Sequence, residues 1–266
     1  MSPNSKPAIR RTTPPARRCD LRPSRTNLLA VRRRLTSASP RLADLAPTVL
    51  PDEVDLALLN YIAPRDQGPR GSCAGHATAE SRELIWAKAN GMHLADRLSV
   101  AYAWARARMA EGNWPQDVGT TLADEFGVLE GFGIPPEQDM PYVADAAQPI
   151  PAIADAAARD FRITDPCTVD MGDADGARRV LAAGLPIAIG IPVYESFEGG
   201  GTNGLLAMPD TNSEALLGGH ALCVVGYDVA RRAWRVLNSW GTSWSDGGFC
   251  WMPWGYPLWE AWTAPD

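Results

Sequence analysis

The sequence predicts an α+β domain of two lobes, with helices first and an antiparallel sheet second. Three observations carry that prediction. Between Cys73 and Gly133 apolar and small residues recur at helical spacing, bounded by caps and glycine stops. From Pro186 onward the pattern changes to apolar runs of strand length. The two patterns occupy separate halves of the chain, the layout of segregated helices and strands.

Taken in order, the elements follow from local chemistry. Ordered sequence is expected to start near Leu50-Pro51. Ser72 reads as an N-cap, and Cys73 to Asn90 as a helix closed by Gly91. Its stripe of Ala74, Ala77, Ser81 and Ile85 is mostly small, which suits a helix packed closely on several sides. Ser99 caps a second helix that runs through Glu111 and stops at Gly112. Thr121-Leu-Ala-Asp124 has the form of a capping box, followed by Leu122, Phe126 and Leu129 at helical spacing, and Gly133 with Pro135-Pro136 ends that helix. Asp173 to Ala183 reads as a short helix. Pro186–Tyr194, His220–Asp228, Ala233–Trp240 and Gly248–Trp254 read as strands, the middle two joined as a meander by the turn DVARR. These runs divide the body into a helical lobe of about 50–155 and a sheet lobe of about 156–266.

Composition sets outer bounds. With 266 residues and 45% hydrophobic content the chain can build one large domain or two lobes. No run reaches the roughly 18 apolar residues of a membrane span, and the basic start is followed by no apolar stretch of signal-peptide length. The expectation is a chain without a membrane partner, cytoplasmic or exported without a recognisable signal peptide. The five cysteines are odd in number, scattered and free of any C-x-x-C, which argues against a disulfide framework and a zinc site and for a reducing compartment. One disulfide involving Cys167 stays open. No metal or cofactor is expected.

Charge is unevenly placed. The net −6 combines a head, residues 1–49, with eleven Lys or Arg against two Asp (+9), and a body with 14 basic against 29 acidic residues (−15). Such a head is a solvated tail, a contact for nucleic acid or an anionic surface, or a segment drawn to its own acidic body.

The chemistry starts at DQGPRGSCAGH, residues 66–76. A cysteine nucleophile needs a depressed thiol pKa, a base that can later protonate the leaving group, and donors for the oxyanion. Cys73 falls at the first turn of a helix, where the dipole and free N–H groups favour thiolate. The chain has three histidines. His76 lies one turn on and reads as structural, His93 lies past the helix end, and His220 opens a strand after Gly218-Gly219. Asn238 follows on the next strand and could fix the His220 tautomer. The Gln67 side-chain amide could meet the Cys73 backbone N–H at one oxyanion position. Cys223 and Cys250, inside apolar strands, read as inert. Tyr194 and Phe197 either line a pocket or pack.

QGPRGSC, GGHALCVVGYD and NSWGTSWSDGGF resemble, in order and spacing, the three signature segments of papain-like cysteine peptidases. His220 stands 147 residues and Asn238 165 residues after Cys73, near the family's separation of about 130–150. LPDEVDLALLNYIAPRDQG resembles the family's mature start, and GTTLADEFGVLEGFGIPPEQDMPY and PIAIGIPVYESF resemble bacterial members in particular. The resemblance implies the two-lobed papain-like fold with the active cleft between the lobes. It implies Cys73 as nucleophile, His220 as base and acid, Asn238 as the residue orienting the imidazole, and Gln67 as oxyanion donor. Trp240 matches the indole that shields the His–Asn hydrogen bond, and Gly119 a glycine whose backbone binds extended substrate. The implied activity is hydrolysis of peptide bonds through a Cys73 thioester, on peptide or protein substrates, by a monomer made as a zymogen. The same triad would also serve a transpeptidase or a leader-peptide or amide-processing enzyme. Nucleic-acid binding would run only through the basic head.

Three departures stand out. Ala74 replaces the usual large residue after the nucleophile, which would widen the leaving-group side of the cleft. Arg70 replaces the disulfide cysteine of many secreted relatives. The head is shorter than the usual inhibitory pro-region and lacks its long helix motif, so for residues 1–49 an inhibitory segment lying along the cleft between the lobes and a disordered tail both remain open.

Overall fold

The computed structural model describes residues 17–24, 34–57, 62–91, 94–143 and 145–265. The expected helices form nearly as read. After α1 (Pro40–Leu45) and strand β1 (Glu53–Asp55) come α2 (Cys73–Asn90), α3 (Val100–Ala110), α4 (Leu122–Gly131) and α5 (Ala152–Ala158). Ser99 and Thr121 accept from the Tyr102 and Asp124 amides, as capping side chains do. Ser72 precedes α2 but makes no capping bond. Its hydroxyl pairs with the Tyr142 hydroxyl at 2.6 Å instead. α2 is buried along most of its length, which its small residues allow.

The second half supplies β2 (Cys167–Thr168), α6 (Ala174–Ala182), β3 (Ile187–Tyr194), the single turn α7 (Glu195–Glu198), β4 (Leu216–Asp228), β5 (Ala233–Leu237), β6 (Phe249–Pro253) and β7 (Glu260–Thr263). Together with β1 they form a seven-stranded sheet in the order β2-β7-β3-β4-β5-β6, with β1 on β4, and every pairing is antiparallel. The sheet therefore draws β1 from the chain's first half, across the expected division near 155. β3 and the middle of β4 are buried on both faces, so they read as continuous apolar runs rather than alternating ones.

α2 packs against β4. Ser81 Oγ and Cys223 Sγ meet at 3.7 Å across that contact. Eight residues back along the helix is Cys73, and three back along the strand is His220. At about 1.5 Å and 3.3 Å per residue the two spans are of similar length, roughly 10–12 Å. The register of one helix against one strand thus sets both residues at the same end of the interface.

Two head segments are seated on the body. Leu35 pairs with the chain beside β2, and Leu42 of α1 is fully buried. Residues Arg17–Ser24 run between the two lobes. Among the described residues no helix is long and apolar enough to cross a membrane. All five cysteines are free thiols.

Candidate active site

The turn that carries Gln67 is fastened from both sides. Arg65 donates to Glu83 of α2 at 2.8 Å and to the Leu98 carbonyl at 2.9 Å. The Gln67 amide donates to the Ser239 carbonyl at 2.8 Å, Gly241 N to the Arg65 carbonyl at 2.8 Å, and Asp66 bridges Trp240. The segment after β5 and the segment before α2 are thereby one unit, and Asn238, Ser239, Gln67 and Cys73 share it.

Within it His220 is fully buried. Its Nε2 lies 2.8 Å from Asn238 Oδ1, and the Ser239 amide donates to that same oxygen at 2.8 Å. An oxygen already accepting from a backbone N–H fixes the amide's orientation, so Nε2 carries the proton and Nδ1 is the bare, basic nitrogen. Nδ1 is buried and has no hydrogen-bond partner. Trp240 lies against the imidazole, ring centres 4.8 Å apart, and Phe197 sits edge-on to both rings. Of the two readings for Phe197, packing is the one observed.

Cys73 is buried at the start of α2. Burial pushes its thiol up to about 12, against backbone hydrogen bonds at Ala221 and Ala74 that favour thiolate. Burial also pushes His220 down to about 4, against the Asn238 bond, with Arg17 of the head adding to the fall. In this closed form burial thus pushes both groups toward their uncharged forms. The cause is burial of the site, because desolvation disfavours both charged forms.

What covers it is the head. Gln67 Nε2 donates to the Arg70 carbonyl at 2.7 Å and to the Arg18 carbonyl at 3.3 Å, while Gln67 Oε1 accepts from Ser239 Oγ at 2.7 Å. Gly219 N donates to the Cys19 carbonyl at 3.0 Å, and Leu21 N to the Gly219 carbonyl at 2.9 Å. Leu21 is buried beside Gly190. The Arg17 guanidinium lies 5.5 Å from the Trp240 ring centre. Two glycines permit this approach. A Cβ on Gly119 would stand 1.9 Å from the Asp20 carbonyl oxygen, and one on Gly218, at φ +148°, would stand 2.2 Å from that of Cys19.

Of the residues picked from sequence, Cys73, His220, Asn238, Gln67 and Trp240 converge, and Gly119 lines the cleft against the head. His76 is turned into its own helix, with Nδ1 3.0 Å from the Ser72 carbonyl. His93 lies outside the described residues. Ala74 is fully buried. Sequence reasoning missed Ser239, which holds Gln67, and Tyr142, whose hydroxyl donates to the Gln67 carbonyl at 3.0 Å. Both stand inside stretches already marked, one beside Asn238 and one at the end of PPEQDMPY, but neither carries a motif of its own.

Comparisons with known proteins bear on the family and the fold. The model of the papain family cysteine protease matches residues 50–257. An uncharacterized peptidase C1-like protein of Acanthamoeba polyphaga mimivirus is 28% identical over 80% of this chain and 73% of its own. Peptidase 1 of Psoroptes ovis is 27% identical over 80% of this chain, which spans 63% of that protein's length. The crystal structure of xylellain, a cysteine protease from Xylella fastidiosa, superposes with a TM-score of 0.80 and 25% identity, covering 97% of this chain and 98% of its own. This chain belongs to the papain family of cysteine proteases.

Proposed function

We propose that the chain hydrolyses peptide bonds through a thioester on Cys73. The observation that carries the reading is the state of His220: Nε2 is tied to Asn238 and a bare Nδ1 is left beside the start of α2. In the open cleft, water and an incoming backbone replace the dry cover, and the proton passes from the Cys73 thiol to His220 Nδ1. The thiolate attacks the substrate carbonyl carbon. The oxyanion is held by the Gln67 side-chain amide and the Cys73 backbone N–H. His220 then returns the proton to the leaving amine as the C–N bond breaks. Water, deprotonated by the same nitrogen, attacks the thioester and frees the acid and the thiol.

In the same reading residues 17–24 are an inhibitory strap of a zymogen. The Arg18 carbonyl stands where a substrate carbonyl would use Gln67. The strap passes from the Trp240 side at Arg17 to the Gly119 side at Arg22, opposite to a substrate whose acyl part lies on Gly119. A reversed backbone offers Cys73 no correctly oriented bond. Burying Leu21 contributes about 1.5–3 kcal/mol to its seating. The xylellain likeness favours kinship with bacterial members.

The test compares the full chain with its Leu21→Asp and Cys73→Ala variants on a small fluorogenic peptide, followed by product analysis with an added amine. The reading expects Leu21→Asp to exceed the parent several-fold and Cys73→Ala to be inert. Free acid should be the main product even with the amine present. Equal rates for parent and Leu21→Asp remove the strap, activity in Cys73→Ala removes the nucleophile, and a dominant amide product marks a transpeptidase.

A further inference from the structure

The strap also borders a second feature of the body that the hydrolytic machinery does not use. Arg22 forms one wall of a cavity of about 600 Å³ whose other walls include Glu111, Asn113, Thr121 and Asp124. Its guanidinium pairs with Glu111 and donates to the Gly119 carbonyl at 2.9 Å. Glu111, at the end of α3, has a side chain only 9% exposed. Its Oε2 also accepts from Asn113 Nδ2 at 2.8 Å, while Oε1 is buried and receives no hydrogen bond. Among the described residues lining the cavity, Arg22 is the one cation. Burial, and then the Asp124 carboxyl, raise the Glu111 pKa, and Arg22 and Asn113 pull it back. Take the strap away and two carboxyls and a backbone carbonyl are left facing a hole without a counter-charge, a costly arrangement for a nearly buried carboxylate.

These walls belong to the body, so any extended peptide on the same backbone edges passes over them. The strap uses the Gly219 carbonyl for Leu21 N and the Thr120 carbonyl for Arg22 N. Side chains at that spacing fall first into the Leu21 pocket and then into the acidic cavity.

We propose that Glu111, with Asp124 and the Gly119 carbonyl, forms a specificity subsite for an arginine or lysine side chain of the substrate. The basic residue lies on the acyl side, one position further from the scissile bond than the residue filling the Leu21 pocket. Its direction rests on the peptidase reading; its charge preference does not. Arginine is favoured over lysine, because a planar guanidinium reaches the Glu111 carboxylate and the Gly119 carbonyl together.

The experiment separates binding from turnover. The full chain carrying Cys73→Ala, Leu21→Asp and Arg22→Ala has the cleft vacated and the nucleophile silent. Calorimetry measures its Kd for short peptides that differ in one residue, Arg, Lys, Gln or Glu, at the position over the cavity. The Arg peptide is expected to bind roughly tenfold tighter than the Gln peptide, the Glu peptide weakest, with the spread shrinking as salt rises. Adding Glu111→Gln or, separately, Asp124→Asn should bring Arg and Gln peptides toward parity, with folding checked by circular dichroism. Equal binding of Arg and Gln peptides before those changes overturns the subsite, as does no binding of any peptide. A charge preference that survives both changes overturns it too. With Cys73 restored, the same ordering should appear in kcat/KM. Selective binding without cleavage would leave the subsite standing and remove the peptidase reading.

Discussion

His76 and His220 invite comparison, because both are buried, both lie close to the start of α2, and both hold a neutral imidazole. Burial lowers one to about 3 and the other to about 4. They differ in what their Nδ1 atoms meet. That of His76 is spent on the carbonyl of Ser72, one turn back on its own helix, and the ring edge rests on Tyr142. That of His220 has no partner, while its other nitrogen is fixed by an amide that is itself fixed. Burial alone therefore does not mark a working histidine. An uncommitted basic nitrogen in a buried site, held there by a second residue, does, since native structures rarely leave such a group unpaired without a use.

The sharpest way to break the comparison is to exchange its outcomes by mutation. His220→Ala is expected to abolish peptide turnover in a chain freed of its strap by Leu21→Asp, as is Cys73→Ala. His76→Ala in that background should keep measurable activity and show its cost in the thermal midpoint. A dead His76→Ala beside an active His220→Ala, both folded, would reverse the assignment. The next effect concerns Gln67. Gln67→Ala should lower kcat by about 10²–10³, the usual result of losing one oxyanion donor. Asn238→Ala should cost less, because the imidazole still samples the working tautomer. Steady-state kinetics on one substrate orders the two, and the reverse order would put the weight on the tautomer instead.

A smaller effect compares two buried acids beneath the cleft. Glu83 has two arginine partners and its pKa is lowered. Glu125 has one bond from Thr120 at 2.7 Å, and burial raises it from 4.5 to about 8. Between those values the folded chain holds a proton that the unfolded chain releases, so Glu125 lowers stability as pH rises from 4.5 through 8. Glu125→Gln should then raise the thermal midpoint by about a few degrees at pH 8–9 and change it little below pH 4.5. A stabilisation greater at low pH than at high pH would have the wrong sign for this account.

Much of this was legible in the chain. α2 matches its expected bounds because Gly91 is a clear stop, and β3 and β4 announced themselves as buried runs. The elements passed over are short or lack local signal. β1 is three residues, β2 two, and β7 (Glu260–Thr263) depends on pairing with β3 across some seventy residues. Ser72 looked like a cap, but Tyr142, distant in sequence, offered its hydroxyl a better partner. In the site, Cys73, His220 and Asn238 could be picked because their chemistry is specific to residue type. The family resemblance suggested a head lying along the cleft, but which residues form the strap could not be read from the sequence. Its contacts are backbone bonds and glycine clearances, and a +9 charge does not say where a segment lies.

The most direct measurement is the rate of Cys73 alkylation by iodoacetamide at pH 6, mapped by mass spectrometry, in the parent chain and in Leu21→Asp. The thiol covered by the strap is pushed up to about 12, and ordinary thiols near 8.5 are mostly protonated at that pH. The account expects slow labelling of every cysteine in the parent. In Leu21→Asp it expects fast labelling of Cys73 alone, abolished by His220→Ala. Equal Cys73 rates in the two chains, or labelling of Cys19 or Cys167 as fast as Cys73 once the strap is released, would contradict it.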